Sequence, residues 1–223
     1  MSEPAAVVFD FDGVLADTEG LHLAALQDVF APRGWTLDRD TYFDRYLGYD
    51  DRDLVRAFAR HAGLTLAATD INDVLSEKAR AYAHRLSTGA VLFPTAPGAI
   101  ARLGARYRLG IASGSLRDEI TAILAGNALL DAIAAIVGAD DVERSKPAPD
   151  SYAAAVTKLG VAPARAVAIE DSQWGLASAR AAGLRTIGIT TSYPAHVLNG
   201  ADHVVHSLDD VTIDLVDSLV DMR

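Results

Sequence analysis

The stretch Ala6-Val7-Val8-Phe9-Asp10-Phe11-Asp12-Gly13-Val14 decides the architecture. An unbroken apolar run stops at an acid, and a second acid and a glycine follow. Strands covered on both faces of a parallel sheet read as continuous apolar runs, whereas one-sided strands alternate. The stretch therefore predicts a buried strand whose carboxyl end delivers two carboxylates into a loop that Gly13 lets turn.

Working outward, five more short runs have the same character: Leu109–Ala112, stopping at Ser113; Ala135–Val137; Ala166–Ile169, stopping at Glu170; Thr186–Ile189; and His203–Val205. Ala-rich helical segments separate the later ones: Pro97–Ala105, Arg117–Leu124, Pro149–Leu159 and Gly175–Ala182, with Gly160 and Gly183 where C-terminal caps would lie. The alternation predicts an α/β fold with a doubly wound parallel sheet. From Asp17 to about Leu86 no strand pattern appears. Leu54, Ala57, Phe58 and His61 recur at helical spacing, as do Val74, Lys78, Tyr82 and Arg85. These residues predict a helical cap domain at 17–89, inserted after the first strand of a core domain at 1–16 and 90–223. An insertion at that point hangs over the carboxyl ends of the strands, where α/β sheets bind ligands.

Composition narrows the partners. The 223 residues carry a formal net charge of −10 and no basic stripe, which disfavours nucleic acid. Cysteine is absent, so disulfides and thiolate metal sites are excluded. No apolar run approaches the roughly 18 residues that span a bilayer. Met1 to Ala6 does not read as a signal peptide. The expectation is a soluble, cytoplasmic protein with no membrane partner; the sequence assigns no oligomeric state.

Chemistry gathers at the strand ends. Asp10 and Asp12 leave the first strand, and Glu170 and Asp171 leave the fourth. Taken singly, Asp-x-Asp-Gly also suits an Asx-turn, and Glu170-Asp171 also suits the start of a helix. In a parallel sheet, however, all four carboxylates share one edge and repel unless a cation neutralises them. Hard oxygen ligands suit Mg²⁺, which also recruits phosphate oxygens. Ser113 and Gly114 offer a hydroxyl and backbone N–H groups for a phosphate; a helix N-cap by Ser113 or Ser115 is the plainer alternative. Lys146, held by Pro147 and Pro149, is placed to offset phosphate and carboxylate charge.

In order, Asp10-x-Asp12-Gly13-x-Leu15-x-Asp17-Thr18, Ser113, Lys146-Pro147-x-Pro149-Asp150 and Glu170-Asp171-Ser172-x-x-Gly175 resemble the four motifs of the haloacid dehalogenase-like hydrolases. The resemblance is to the β-phosphoglucomutase and phosphoglycolate phosphatase branch. It implies Asp10 as nucleophile, Asp12 as general acid/base, and Ser113 and Lys146 as holders of the transferring phosphoryl group. It also implies Mg²⁺ held by Asp10, the backbone carbonyl of Asp12 and Asp171, with Glu170 beside them. The reaction expected is Mg²⁺-dependent hydrolysis of a small phosphorylated metabolite through an aspartyl-phosphate. The alternative is a β-phosphoglucomutase-like sugar phosphomutase. Asp12 favours phosphoryl chemistry over dehalogenation, since an alkoxide leaving group needs an acid and a halide does not.

In the cap, His22 and Lys78 are assigned to substrate binding. For His22 the alternative is a solvated first turn. For Lys78 it is snorkelling, the commoner outcome for such a residue. The loop Gly48-Tyr49-Asp50-Asp51 resembles a family loop that helps set substrate choice. Two positions depart from the mutase pattern: Asp51 stands where mutases carry Arg, and Leu116 where they carry Lys. Arg52 and Arg117, one residue along, are possible substitutes.

Overall fold

The computed structural model of the chain describes residues 5–47, 49–86 and 92–221. It divides into two compact units, Met1–Asp17 with Leu92–Arg223, and Thr18–Val91.

The first unit is built on six parallel strands, β1 (Ala6–Phe9), β2 (Arg108–Ala112), β3 (Ala135–Val137), β4 (Ala166–Glu170), β5 (Arg185–Ile189) and β6 (His203–Val205), in the order β3-β2-β1-β4-β5-β6. Every residue of β1 and β4 is buried, which accounts for the apolar runs Ala6–Phe9 and Ala166–Ile169. The chain runs from β1 outward through β2 to β3, then returns past β1 to β4. The β1/β4 boundary is thus the switch point where such sheets open a crevice.

Numbering the helices through the whole chain, this unit holds α5 (Ala96–Gly104), α6 (Arg117–Gly126), α7 (Asp150–Leu159), α8 (Gln173–Ala181) and α9 (Ile213–Val220). On one face, α7 lays Tyr152, Ala155, Val156 and Leu159 into a core with Ala6, Val8, Ala112 and Val137. The start of α8 lies two residues earlier than the apolar pattern predicts. Ser172 is its N-cap and accepts the Gly175 N–H at 3.0 Å, so the helix is under way before Gly175. Gly160 caps α7 in the left-handed region, as its position predicts.

Among the described residues of the second unit the α-helices are α1 (Glu19–Phe30), α2 (Arg39–Arg45), α3 (Asp51–His61) and α4 (Ala68–Leu86), and no strand is present. Asp38 and Asp50 cap α2 and α3, accepting N–H groups three residues on. Phe30, Trp35, Tyr46 and Phe58 pack ring against ring, and α1 packs along α4. Leu54, Ala57 and Phe58 are buried as their spacing predicts. His61 ends that stripe exposed, with Nδ1 2.9 Å from the Tyr46 hydroxyl, because the helix stops there. Gly48 and the expected cap boundary at 89 lie outside the described residues.

Candidate active site

Register brings the motifs together. Phe9 pairs with Ile111 on one side and Ile169 on the other, so the next residues, Asp10, Ala112 and Glu170, are neighbours at the carboxyl edge. The Asp10 N–H donates to the Ile169 carbonyl at 2.9 Å, and the Ser113 N–H to the Val137 carbonyl at 3.0 Å. Each side chain therefore starts from an extension of the sheet ladder rather than from a loose loop.

Lys146 Nζ lies 2.8 Å from Asp10 Oδ1 and 2.6 Å from Glu170 Oε1. Glu170 is wholly buried and receives four donors. Oε1 accepts from Lys146 and from the Tyr152 hydroxyl at 2.9 Å; Oε2 accepts from the Ser172 N–H and hydroxyl. Gly175 passes so close that a Cβ there would overlap the Glu170 carboxylate. Burial would lower the Lys146 pKa, but the Asp10 and Glu170 charges outweigh it and keep the ammonium protonated. Burial, then the charge of Glu170, pushes the Asp10 carboxyl up to about 8 despite Lys146.

Asp12 turns toward β2. Its Oδ2 accepts from Ser115 Oγ at 2.6 Å and from Ser113 Oγ at 3.3 Å. Ser113 Oγ also accepts the Ser115 N–H at 3.0 Å. Neither serine is the N-cap of α6. Leu116 holds that place, half-exposed, and Asp140 accepts the Arg117 N–H. Gly114 is exposed with open space before it. Gly13 has φ +78°, and a Cβ there would overlap Asp171 Oδ2. The turn is pinned from the loop just after β5, where Thr191 Oγ1 donates to the Gly13 carbonyl and Ser192 Oγ donates to Asp171 Oδ2.

Carboxylate oxygens of Asp10, Glu170 and Asp171 lie within 4.8 Å of one another, all three residues buried. Lys146 bridges two of these acids, and burial, then the charge of Glu170, still raises the Asp10 carboxyl. A hard divalent cation would restore the Asp10 carboxylate, so the donor set fits Mg²⁺. Glu170 belongs to this group by distance, although both its oxygens already serve protein donors.

In the second, helical unit, Lys78 does not snorkel. Its side chain is 4% exposed, with Nζ 2.7 Å from both Asp51 Oδ2 and His22 Nδ1 and 4.7 Å from the Tyr82 ring centre. Asp51 supplies the countercharge that makes this burial tolerable. His22 is half-buried against Tyr82 rather than solvated, with ring centres 4.2 Å apart. The two substitute cations are engaged as well. Arg117 Nη2 lies 2.6 Å from both oxygens of Asp141, and Arg52 donates to Asn72 at 3.0 Å.

Sequence reasoning passed over Tyr152, Thr191 and Ser192. Tyr152 reads as one more core residue of α7. The hydroxyl run Thr190-Thr191-Ser192, just beyond β5 on the same sheet edge, is the signal that would have found the other two.

The chain belongs to the haloacid dehalogenase-like hydrolases, whose family model matches residues 7–189. It is similar to a phosphoglycolate phosphatase of Rhodospirillum rubrum, 33% identical over 85% of this chain and 81% of that one. It is also similar to a β-phosphoglucomutase of Bacillus subtilis, 29% identical over 95% and 93%. Among solved structures, a mutant of CbbY from Rhodobacter sphaeroides in complex with xylulose-(1,5)bisphosphate superposes with a TM-score of 0.85, at 30% identity over 98% of this chain and all of that one. Within the family the chain is an enzyme of the phosphoric monoester hydrolase class.

Proposed function

We propose that the chain hydrolyses a small phosphorylated metabolite, with Asp10 as the nucleophile. The observation that carries this reading is Lys146 Nζ bridging Asp10 Oδ1 and Glu170 Oε1 at the sheet's switch point, with Asp12 held alongside by two serine hydroxyls. Asp10 attacks phosphorus as the ester P–O bond breaks, and protonated Asp12 gives its proton to the departing alkoxide. Asp12 then takes a proton from the water that attacks phosphorus, the P–O bond to Asp10 breaks, and inorganic phosphate leaves. Ser113, Gly114 and Lys146 hold the phosphoryl oxygens, with Lys146 offsetting charge where it grows. Asp10, Asp171 and the Asp12 carbonyl would hold Mg²⁺, which supplies further charge neutralisation.

Internal pairing of cations favours a monophosphate. Lys78 is matched by Asp51 and Arg117 by Asp141, so neither charge is in surplus for a second phosphate. A second reading, a bisphosphate substrate, is favoured by the ligand in the CbbY mutant. On that reading this chain's own His22–Lys78 pair would serve the distal phosphate, and the mutase alternative needs that same anchor.

Borohydride trapping during turnover tests the nucleophile. An acyl phosphate on Asp10 is reduced to a homoserine residue, read by peptide mass. Trapping at Asp10 is expected in the wild type and none in Asp10→Asn, which should lose at least about 10³-fold in turnover. Active enzyme with no trapped adduct, or an active Asp10→Asn, refutes the assignment. Chelation should abolish turnover, and Mg²⁺ should restore it better than Ca²⁺. Phosphate release from a monophosphate, a bisphosphate and β-glucose 1-phosphate, with glucose 6-phosphate followed alongside, separates the substrate readings.

A further inference from the structure

Among the described residues, Tyr152 is a buried hydroxyl pointing into the reaction centre that the chemistry above does not use. It is fully enclosed in the core under β1 and β2, yet its hydroxyl leaves the apolar packing and donates to Glu170 Oε1 at 2.9 Å. That oxygen is the one Lys146 Nζ bonds at 2.6 Å, and the same ammonium stands 5.2 Å from the Tyr152 ring centre. Phenylalanine would fill the same apolar volume without a buried polar group to satisfy. We infer that Tyr152 is a positioning residue: it fixes Glu170 and, through Glu170 and its own ring, aims Lys146 at the phosphoryl group on Asp10.

Geometry supports this division of labour. Oε2 of Glu170 is pinned by two donors from Ser172, and Gly175 leaves the carboxylate no room to swing. Oε1 has only Lys146 and Tyr152 among its recorded partners. Without the phenol, the full negative charge of that oxygen falls on Lys146. The ammonium is then drawn toward Glu170 and away from Asp10 Oδ1, 2.8 Å off on its other side. Lys146 counters charge that grows as the phosphoryl group transfers, so the loss falls on kcat more than on KM.

The inference rests on the phosphatase reading, which wild-type turnover of 4-nitrophenyl phosphate tests by itself. The brace is tested by a double-mutant cycle of Tyr152→Phe, Lys146→Met and the pair. It is read in two ways: as kcat and KM, and as affinity for inorganic phosphate by calorimetry, which needs no turnover. Tyr152→Phe should lower kcat about 10-fold, and should raise KM and weaken phosphate binding by a smaller factor, about 3-fold, at a fold confirmed by circular dichroism. In the Lys146→Met background the same change should alter either readout less than about 2-fold. An equal loss in both backgrounds marks Tyr152 as merely structural and overturns the inference, as does no loss in the wild-type background. If Tyr152→Phe does not fold, Tyr152→Met, which fills the pocket and also removes the phenol, takes its place in the cycle with the same expectation. A wild type that binds phosphate without turning it over defeats the phosphatase reading and leaves the affinity cycle to decide the brace.

Discussion

Lys78 Nζ and Asp51 Oδ2 lie 2.7 Å apart, the lysine buried and the aspartate half-exposed. At the position of Asp51 the mutase pattern carries Arg. The substitution reverses the local sign: a place that would add positive charge instead cancels that of Lys78. Asp51→Asn leaves Lys78 with a hydrogen-bond acceptor and no countercharge. The variant should gain on substrates with a second anionic group, raising the bisphosphate-to-monophosphate ratio of kcat/KM by about 5-fold or more, the effect of one charge-assisted contact. Steady-state kinetics on both substrate types give the ratio, and an unchanged ratio removes Lys78 from substrate selection.

On the proposed mechanism Ser115 places Asp12 as the acid. Its hydroxyl makes the shorter of the two serine contacts to Asp12 Oδ2, 2.6 Å against 3.3 Å from Ser113. Ser115→Ala should misdirect Asp12 and cost about 10-fold on an alkyl phosphate, part of the roughly 10²-fold or more that general acid catalysis supplies. An aryl phosphate, whose leaving group needs little protonation, should lose less. Equal losses on the two esters would mean that Ser115 does not act through Asp12.

Gly175 guards the Glu170 carboxylate. Gly175→Ala puts a methyl where the carboxylate lies, so something must shift. Overpacking of this kind costs about 1–3 kcal/mol. Thermal unfolding should show it, with kcat reduced because Glu170 carries Lys146. Gly98→Ala in α5, where a Cβ meets open space, is the control and should not lower the melting temperature.

Away from the site, Asp217 on α9 accepts from the Tyr107 hydroxyl at 2.7 Å and from Arg106 at 2.6 Å. The Tyr107 bond, then the Arg106 bond and charge, hold its carboxyl below the usual range. A depressed carboxylate contributes stability above its unfolded pKa, near 3.9, that is lost as pH falls through the lower folded value. Asp217 is partly exposed, so the contribution is discounted to under about 1 kcal/mol. Asp217→Asn should therefore melt lower at pH 7 by up to about 3 °C, with the difference closing below about pH 4. A difference that persists in acid would assign the loss to packing.

The sequence by itself determined the six strands, the interposed helices and the place of Asp10, Ser113 and Glu170 where strands end at one sheet edge. It could do so because burial on both faces demands unbroken apolar runs, and because a parallel sheet puts every strand's carboxyl end on the same side. Tertiary structure alone decided how charges and hydroxyls pair across distance. Lys78 meets Asp51 and His22 from two other helices, 27 and 56 residues away, and so stays buried where its sequence favoured snorkelling. Arg117, a possible phosphate anchor in sequence, is taken by Asp141. Tyr152 and Ser192 gain their roles from Glu170 and Asp171, 18 and 21 residues distant. A local pattern records which face of an element is apolar. Which acid a buried cation finds depends on the packing of separate elements, where distances of a few ångströms decide whether a charge is matched or left over.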